Sequence, residues 1–209
     1  MYKFWDNPSP RPATAAAATL PAEVELRHGA RAVLIAPANL LAPMSGITDT
    51  VFRQYIRDLG GCGLIMTEFT SGDGIVRSEK VARRYLSFDE SERPIAAQLF
   101  GSDPAVMADA AKIVERMGFD SIDLNLGCPA KKVVKCNGGS GLLRDLPLLA
   151  RLFESIRSAV NLPFTVKFRA GWDESHLVHV ELARLAEASG VNGLSLHART
   201  REQGYSGQA

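Results

Sequence analysis

Short apolar segments alternate with helical patterns along residues 31–209, and this alternation limits the folds that the chain can adopt. A strand, a helix and a second strand in succession imply a right-handed parallel crossover, which occurs both in open doubly wound sheets and in closed barrels. The apolar runs are short and bounded by glycine, proline or polar residues, as buried parallel strands are. The predicted strands are Leu40–Ala42, Gly63–Thr67, Ile95–Phe100, Ser121–Asn125, Phe164–Phe168 and Gly193–His197.

Helices are predicted between these strands, and two of them have well-marked starts. Ser102-Asp-Pro104 and Asp145-Leu-Pro147 each place a capping side chain just before a proline in the first turn. Met117-Gly118 and Ser189-Gly190 are typical of helix ends. The predicted helices are Asp49–Leu59, Glu79–Tyr85, Pro104–Met117, Leu146–Val160 and Ser175–Ser189.

Polar residues at the strand ends distinguish a barrel from an open sheet. Chemically useful side chains follow nearly every predicted strand, whereas an open sheet concentrates them at one switch point. The sequence therefore predicts an α/β fold of the TIM (β/α)8 barrel type. The segments at the strand ends are Pro43-Met44, Thr67-Glu68, Gln98, Asn125, Lys167-Phe-Arg169 and His197-Ala-Arg199.

The strand count also predicts the domain organisation. Residues 1–30 contain several prolines and an alanine run, so we expect a loosely ordered N-terminal extension. Residues 31–209 contain six predicted strands, whereas a complete barrel has eight and typically needs about 250 residues. We therefore expect residues 31–209 to form a partial barrel that is truncated after about six strands.

The composition is that of an ordinary globular protein, with 46% hydrophobic residues, 22% charged residues and a formal net charge of +1. This balance neither indicates nor excludes a nucleic acid partner, because charge can be concentrated on one face. No apolar run approaches the roughly 18 residues of a membrane span. The three cysteines form no CxxC pair, so we expect no disulfide framework, no metal site and a cytoplasmic setting.

Cys128 lies in the turn Asn125-Leu-Gly-Cys-Pro129, directly after the fourth predicted strand. Gly127 allows a tight backbone there, and Pro129 restricts the exit from the turn. A cysteine at this place lies at the mouth of the predicted barrel. A thiol with an ordinary pKa of about 8.5 is protonated at neutral pH and can act as a general acid. The alternative is a small buried hydrophobic side chain, and spacing alone leaves both interpretations open.

Six motifs, taken in order, resemble those of the tRNA-dihydrouridine synthase family, and most closely its bacterial B-type branch. They run from about residue 33 to the end of the chain, with family-like spacing. Each motif is weak alone, but the ordered set is specific. The motifs are Leu41-Ala-Pro-Met-Ser-Gly-Ile-Thr-Asp49 with Phe52-Arg53, Thr67-Glu68, Ala97-Gln-Leu-Phe-Gly101, Ile122-Asp-Leu-Asn-Leu-Gly-Cys-Pro-Ala-Lys-Lys-Val133, Val166-Lys-Phe-Arg-Ala-Gly-Trp172, and His197-Ala-Arg-Thr-Arg201 with Gln203 and Tyr205.

The resemblance implies an oxidoreductase that acts on CH–CH groups. It implies FMN at the C-terminal face of the barrel, reduction of that FMN by NADPH, hydride transfer from N5 to C6 of a tRNA uracil, and protonation of C5 by Cys128. Hydride addition builds enolate-like charge across C5 and O4, which a nearby acid and hydrogen-bond donors stabilise. The family also has a C-terminal helical domain that binds tRNA, and we expect that domain and the flavin phosphate site to be absent from this chain.

The resemblance also implies roles for other residues. Lys167 matches a lysine near N1 and O2 of the flavin, where a cation stabilises the reduced ring. From spacing alone, these side chains also have structural interpretations, such as ion pairs, strand caps or core packing. The implied flavin-binding residues are Pro43, Met44, Gln98, Lys167 and His197, and the implied substrate-binding residues are Asn125, Arg169, Lys131, Lys132 and Arg199.

Two other functions remain open. The first is a related FMN barrel that acts on a free pyrimidine, as dihydroorotate and dihydropyrimidine dehydrogenases do. The motifs Lys131-Lys-Val133 and His197-Ala-Arg-Thr-Arg201 argue against it. The second is an inactive truncated remnant, because a six-stranded partial barrel has two unpaired edges.

Overall fold

The computed structural model describes residues 21–136 and 138–207. The strands in these residues form a two-stranded sheet and a larger parallel sheet. The strands are β1 (Val24–His28), β2 (Arg31–Ile35), β3 (Leu40–Leu41), β4 (Leu64–Met66), β5 (Thr70–Ser71), β6 (Ile95–Phe100), β7 (Ser121–Leu126), β8 (Phe164–Arg169) and β9 (Gly193–His197).

Helices follow the strands of the parallel sheet and cover its outer face. Asp103 and Asp145 cap two of them as predicted, since the Asp103 carboxylate accepts from the amides of Ala105 and Val106, and the Asp145 carboxylate accepts from the amide of Leu148. Two short 3-10 helices lie at Glu90–Glu92 and Gly139–Arg144. The α-helices are α1 (Thr50–Leu59), α2 (Gly72–Arg77), α3 (Glu79–Tyr85), α4 (Pro104–Arg116), α5 (Lys131–Lys135), α6 (Leu146–Ala159) and α7 (His179–Ala188).

The parallel sheet has the strand order β3-β4-β6-β7-β8-β9, and the short strand β5 pairs with β6. Apart from β5, strands that are neighbours in the sheet also follow one another along the chain, with helices between them. The sheet curls into a partial barrel, so its inner face encloses an interior and its outer face packs against helices. The predicted fold class, an α/β fold of the TIM barrel type with six main strands, is confirmed.

All of the predicted strands and helices are present, and every bound but one agrees with the prediction to within one residue. The largest difference is in α7, which begins at His179 rather than at Ser175. Asp173 explains the later start, because its carboxylate accepts from both the amide and the hydroxyl of Ser175. Such a side-chain turn competes with helical hydrogen bonding.

A β-hairpin covers the N-terminal end of the barrel, which corrects part of the expected loosely ordered extension. Residues 1–20 lie outside the described part of the chain, but Val24–His28 forms β1 and pairs antiparallel with β2. Alternate side chains of the hairpin face the barrel interior, and their burial is the physical reason for the order. The buried cluster consists of Leu26, Val33, Ile35, Leu64, Met66 and Ala96.

The main core lies between the sheet and the helices. Phe164 on β8 packs against Phe153 on α6, with ring centroids 6.2 Å apart in an edge-to-face arrangement. Both side chains are fully buried. Successive side chains of a strand point to opposite faces of the sheet. The residues between the apolar ones that face the helices therefore face the barrel interior.

A buried ion pair fastens α1 to the turn before β6. Arg53 Nε donates to Glu92 Oε2 at 2.5 Å, and the two side chains are only 3% and 0% exposed. The other Arg53 nitrogens donate to the carbonyl oxygens of Thr48 and Ser87 at 2.8 and 2.9 Å, while Glu92 also accepts from the Thr50 hydroxyl. The pair therefore fixes the start of α1, together with the loop that precedes it.

Candidate active site

Polar side chains form rows across the inner face of the barrel. The two-residue period of a strand places Lys167 and Arg169 on one face of β8. The parallel register then aligns these positions with partners on neighbouring strands. From the base upward, the rows are Gln98 with Asp123 and Thr165, then Asn125 with Lys167, then Arg169 with His197.

The upper rows open into a cavity of about 700 Å³ at the C-terminal ends of the strands. This is the end at which enzymes with TIM barrels bind their substrates. The structure brings most of the predicted site residues together around this cavity. Those that line it are Pro43, Met44, Asn125, Cys128, Lys167, Arg169 and His197.

The backbone of Cys128 is held from two sides. Its amide donates to Asn125 Oδ1 at 2.9 Å, and its carbonyl oxygen accepts from the amide and hydroxyl of Ser140 at 3.1 and 2.9 Å. Gly139 packs against this turn with φ +55°, and a Cβ at that position would lie 2.8 Å from the Cys128 carbonyl oxygen. The glycine therefore allows both the left-handed conformation and the close approach to the cysteine.

The cavity combines a partly buried lysine with an imidazole. Burial lowers the pKa of Lys167, the nearby carboxyl of Asp123 opposes that shift, and Arg169 adds to it. Burial also lowers the pKa of His197, and the cations of Arg169, Lys167 and Arg199 lower it further. His197 is therefore neutral at neutral pH, and it can donate or accept a hydrogen bond.

Arg169 fixes the loops around the cavity. Its Nε donates to the carbonyl oxygen of Gly127 at 3.0 Å, and its Nη1 donates to those of Thr200 and Gly204 at 2.9 Å each. The guanidinium carbon lies 5.6 Å from the ring centroid of Tyr205. Nη2 makes no hydrogen bond to any residue in the described ranges, so it is the Arg169 donor that remains for a ligand.

Gln98 lies beneath the cavity rather than in its lining. Its side chain is fully buried, its Nε2 donates to Asp123 Oδ2 at 2.7 Å, and its Oε1 accepts from Asn125 Nδ2 at 2.8 Å. Both ends of the amide are thus bonded to protein groups. Direct contact between Gln98 and a flavin remains a prediction.

The three remaining predicted residues lie outside the cavity lining. Lys131 and Lys132 are exposed on α5, the short helix that follows the Cys128 turn. Lys132 lines a neighbouring cavity of about 520 Å³ together with Arg77. Arg199 Nη2 donates to the carbonyl oxygen of Gly207 at 3.1 Å, and its Nη1 lies 3.4 Å from His197 Nε2.

Several residues around the cavity were not among the predicted site residues. Phe69 and Tyr205 line its wall, and the Tyr205 ring centroid lies 6.3 Å from that of His197. Asp123 and Thr165 form the buried row below it. Tyr205 lies within the last matched motif. Asp123 lies within the motif that contains Cys128, where a polar residue in an apolar strand was the available signal for the buried row.

Asp123 is a fully buried carboxyl group, and burial raises its pKa from 3.8 to about 6 against the opposing effects of Thr165, Gln98 and Lys167. The folded protein therefore binds this proton more tightly than the unfolded chain does. It follows that the contribution of Asp123 to the free energy of unfolding falls as the pH rises from about 4 to about 6.

Asp123→Asn is therefore expected to gain stability relative to the wild type as the pH rises from 4 to 7, by an amount on the order of 2–3 kcal/mol. Asparagine does not titrate, so the free energy of unfolding of the variant does not fall with pH as the contribution of Asp123 does in the wild type. Urea unfolding of both proteins at several pH values measures the difference. Asp58→Asn, which makes the same change at an exposed carboxyl on α1, is the matched control. A pH-independent difference for Asp123→Asn would contradict the raised pKa.

Two kinds of feature are absent from residues 21–136 and 138–207. None of their helices combines the length and the apolar character needed to cross a membrane. In the same residues, no group of three or more His, Cys, Asp or Glu side chains is arranged to hold a metal ion.

Comparison with protein families matches residues 40–209 to the model described as dihydrouridine synthase (Dus). The match includes every strand of the parallel sheet and every residue of the cavity. The hairpin at Val24–His28 and Arg31–Ile35 lies before it.

Curated relatives from bacteria match over most of the chain. The tRNA-dihydrouridine synthase B of Pseudomonas aeruginosa is 41% identical over 170 residues, which cover 81% of this chain and 51% of that protein. A probable tRNA-dihydrouridine synthase of Rickettsia conorii is 44% identical over 171 residues, with the same coverage of 81% and 51%. The chain thus spans about half the length of the curated relatives it matches.

Among solved structures, the carboxyl transferase domain of Rhizobium etli pyruvate carboxylase matches this chain in shape. The match covers 75% of this chain and 26% of the pyruvate carboxylase chain. The TM-score is 0.48 and the sequence identity 18%, so this likeness has no bearing on function.

Proposed function

Because this chain belongs to the dihydrouridine synthase family, we propose that its cavity is the site at which a uracil of tRNA is reduced across C5–C6, with Cys128 as the proton donor to C5. One observation supports this proposal most strongly. The loop after β3 provides Met44, β7 and the turn after it provide Asn125 and Cys128, β8 provides Lys167 and Arg169, and β9 provides His197, yet all of these residues line one cavity at the C-terminal ends of the strands. Convergence of this kind is typical of an active site on this fold.

The residues of the cavity fit the ring system of FMN. Pro43 and Met44 offer an apolar wall, and Lys167 and His197 offer a cation and a neutral imidazole for the polar edge of the ring. The partly buried Lys167 is suited to stabilise negative charge, because few waters compete with it. When bound, FMN would supply the reducing equivalents that NADPH delivers.

The chain's own residues would then hold the uracil and move one proton. The Cys128 thiol would donate its proton to C5, and the turn that is bonded to Asn125 and Ser140 would fix the position of the sulfur. Arg169 Nη2, which has no hydrogen-bond partner among the described residues, would donate to a uracil oxygen as negative charge develops there. Asn125 Nδ2 bonds Gln98 with one hydrogen and retains a second for the base.

tRNA as the substrate places a further demand on the protein. A uracil in folded RNA must leave its stack before it can enter a cavity at the barrel mouth. The protein must therefore grip the RNA largely through its backbone. We propose that Lys131, Lys132 and Arg199, which lie beside the cavity, contact phosphates of this RNA, and that the reaction takes place in the cytoplasm.

This function predicts that the protein, supplied with FMN and NADPH, reduces uridines in tRNA and not free uracil. The measurement is mass spectrometry of nucleosides from unmodified tRNA, in which each product uridine gains about 2 Da, beside an assay of free uracil under the same conditions. Reduction of the free base alone would establish the related flavin barrel instead. A protein that binds no FMN and reduces neither substrate would establish the inactive remnant.

A further inference from the structure

We propose that Asp123, acting through Gln98 and Asn125, fixes the orientation of the backbone turn that carries Cys128. Asp123 is then a positioning residue for the proton donor, although it does not touch the substrate. The inference deepens the proposed function and rests on it for the role of Cys128. The hydrogen-bonded arrangement itself depends only on the described residues.

A continuous series of hydrogen bonds joins the carboxyl group to the turn. Gln98 Nε2 donates to Asp123 Oδ2 at 2.7 Å, and Asn125 Nδ2 donates to Gln98 Oε1 at 2.8 Å. Asn125 Oδ1 then accepts from the backbone amides of Gly127 at 3.1 Å and Cys128 at 2.9 Å. We call these three side chains and two amides the relay.

The chemistry of the two ends gives the relay a single direction. An ionised carboxylate only accepts hydrogen bonds, so Asp123 requires the NH2 group of Gln98 to face it. The Gln98 oxygen must then face Asn125, which turns the Asn125 oxygen toward the turn. Backbone amides only donate, so the turn at Gly127 and Cys128 requires that same orientation. Reversal of either amide would break bonds at both of its ends.

Burial makes this direction costly to change. Asp123 and Gln98 are fully buried and Asn125 is nearly so, which leaves little access for water to replace a lost partner. In such surroundings hydrogen bonds in series strengthen one another, and an unsatisfied group is penalised. The second oxygen of Asp123 accepts from Thr165 Oγ1 at 2.6 Å, a bond outside the relay.

The parallel register explains why these residues meet. Gln98 on β6 lies opposite Asp123 on β7, and both face the barrel interior. Asn125 is two residues further along β7 and therefore faces the same side. The turn that contains Cys128 follows directly. The relay thus runs from the buried row to the cavity lining, beneath the space proposed for the flavin and the uracil.

The test uses exchange of the Gly127 and Cys128 amide protons with solvent deuterium, followed by NMR in the absence of substrate and cofactor. Asp123→Leu removes the terminal acceptor and should accelerate exchange at both amides by about 10-fold or more. Asparagine at 123 can still turn its oxygen toward Gln98, so leucine is the decisive change. Thr165→Val is the matched control, because it removes a bond to Asp123 outside the relay, and exchange should stay within about twofold of the wild type.

The double variant Gln98→Glu with Asp123→Asn tests direction rather than packing. Glutamate at position 98 accepts hydrogen bonds from the side chains at positions 123 and 125. Asparagine at position 123 donates to that glutamate and still accepts from Thr165. Every hydrogen bond is therefore retained, and the negative charge moves from position 123 to position 98. Exchange at Gly127 and Cys128 should return to within about twofold of the wild-type rate. The exchange rates of the double variant and the wild type therefore still test the relay if Asp123→Leu fails to fold.

Three results would overturn the relay. They are unchanged exchange in Asp123→Leu, fast exchange in the double variant, and failure of the double variant to fold. In the tRNA assay, Asp123→Leu should also lower kcat by about 10-fold or more with KM nearly unchanged, because a misplaced donor slows chemistry rather than RNA binding. Altered exchange with no tRNA activity in the wild type would reject the proposed function and leave the relay intact.

Discussion

Cys128→Ala is expected to lower the rate of dihydrouridine formation in tRNA by about 10²- to 10⁴-fold, the usual contribution of a positioned general acid. Among the described residues of the cavity lining, Cys128 carries the one thiol, and alanine removes it while keeping the backbone bonds to Asn125 and Ser140. The fold and the binding of FMN should therefore persist. The measurement is the single-turnover rate on unmodified tRNA with reduced FMN in place.

Cys136→Ala is the matched control, because Cys136 is an exposed free cysteine eight positions further along the chain, outside the cavity lining. Its rate should remain within about twofold of the wild type. A Cys128→Ala protein that binds FMN and reacts at the wild-type rate would remove the proton-donor role. Equal losses in both variants would point to a general effect of cysteine replacement.

Arg53→Met is expected to lower the free energy of unfolding by about 3–5 kcal/mol, because it leaves the Glu92 carboxylate buried without its cation. Glu92 is 0% exposed and lies at the turn before β6, while Arg53 also holds the carbonyl oxygens of Thr48 and Ser87. The loop before α1 contains Met44, whose amide donates to Thr48 Oγ1 at 3.1 Å. Loss of the pair should therefore loosen one wall of the cavity as well as α1.

Urea unfolding of the purified protein measures this effect, and two further variants interpret it. Arg83→Met breaks an exposed pair with Glu79, whose side chains are 76% and 77% exposed, and should cost no more than about 0.5 kcal/mol. Arg53→Met combined with Glu92→Leu removes both charges and should recover much of the loss. If Arg53→Met and Arg83→Met cost the same, the buried pair does not anchor α1.

The sequence predicted the strands and their order because buried parallel strands are continuous apolar runs. The spacing of Lys167 and Arg169 also places both side chains on one face of β8, since the two-residue period of a strand requires no tertiary information. Cys128, Lys167 and His197 lie together at one end of the barrel, as the sequence predicted, because TIM barrels carry their functional residues at the C-terminal ends of the strands.

The features that the sequence did not reveal depend on contacts between distant residues. The hairpin at Val24–His28 is ordered because its side chains bury against Leu64 and Met66 at the base of the barrel. The partners Arg53 and Glu92 are 39 residues apart, and Gln98 and Asp123 are 25 apart. Nothing local to either residue of a pair identifies the other. The same reason explains why the contact of Gln98 with Asp123 beneath the cavity was not predicted.

The most direct test of the central claim is a position-resolved map of dihydrouridine in the tRNA of cells from which the gene for this protein has been deleted. We predict that dihydrouridine disappears from at least one tRNA position. It should return when the wild-type protein is supplied and stay absent when Cys128→Ala is supplied at equal abundance. An unchanged map after the deletion, or restoration by Cys128→Ala, would contradict the proposal that this cavity reduces tRNA uridines through Cys128.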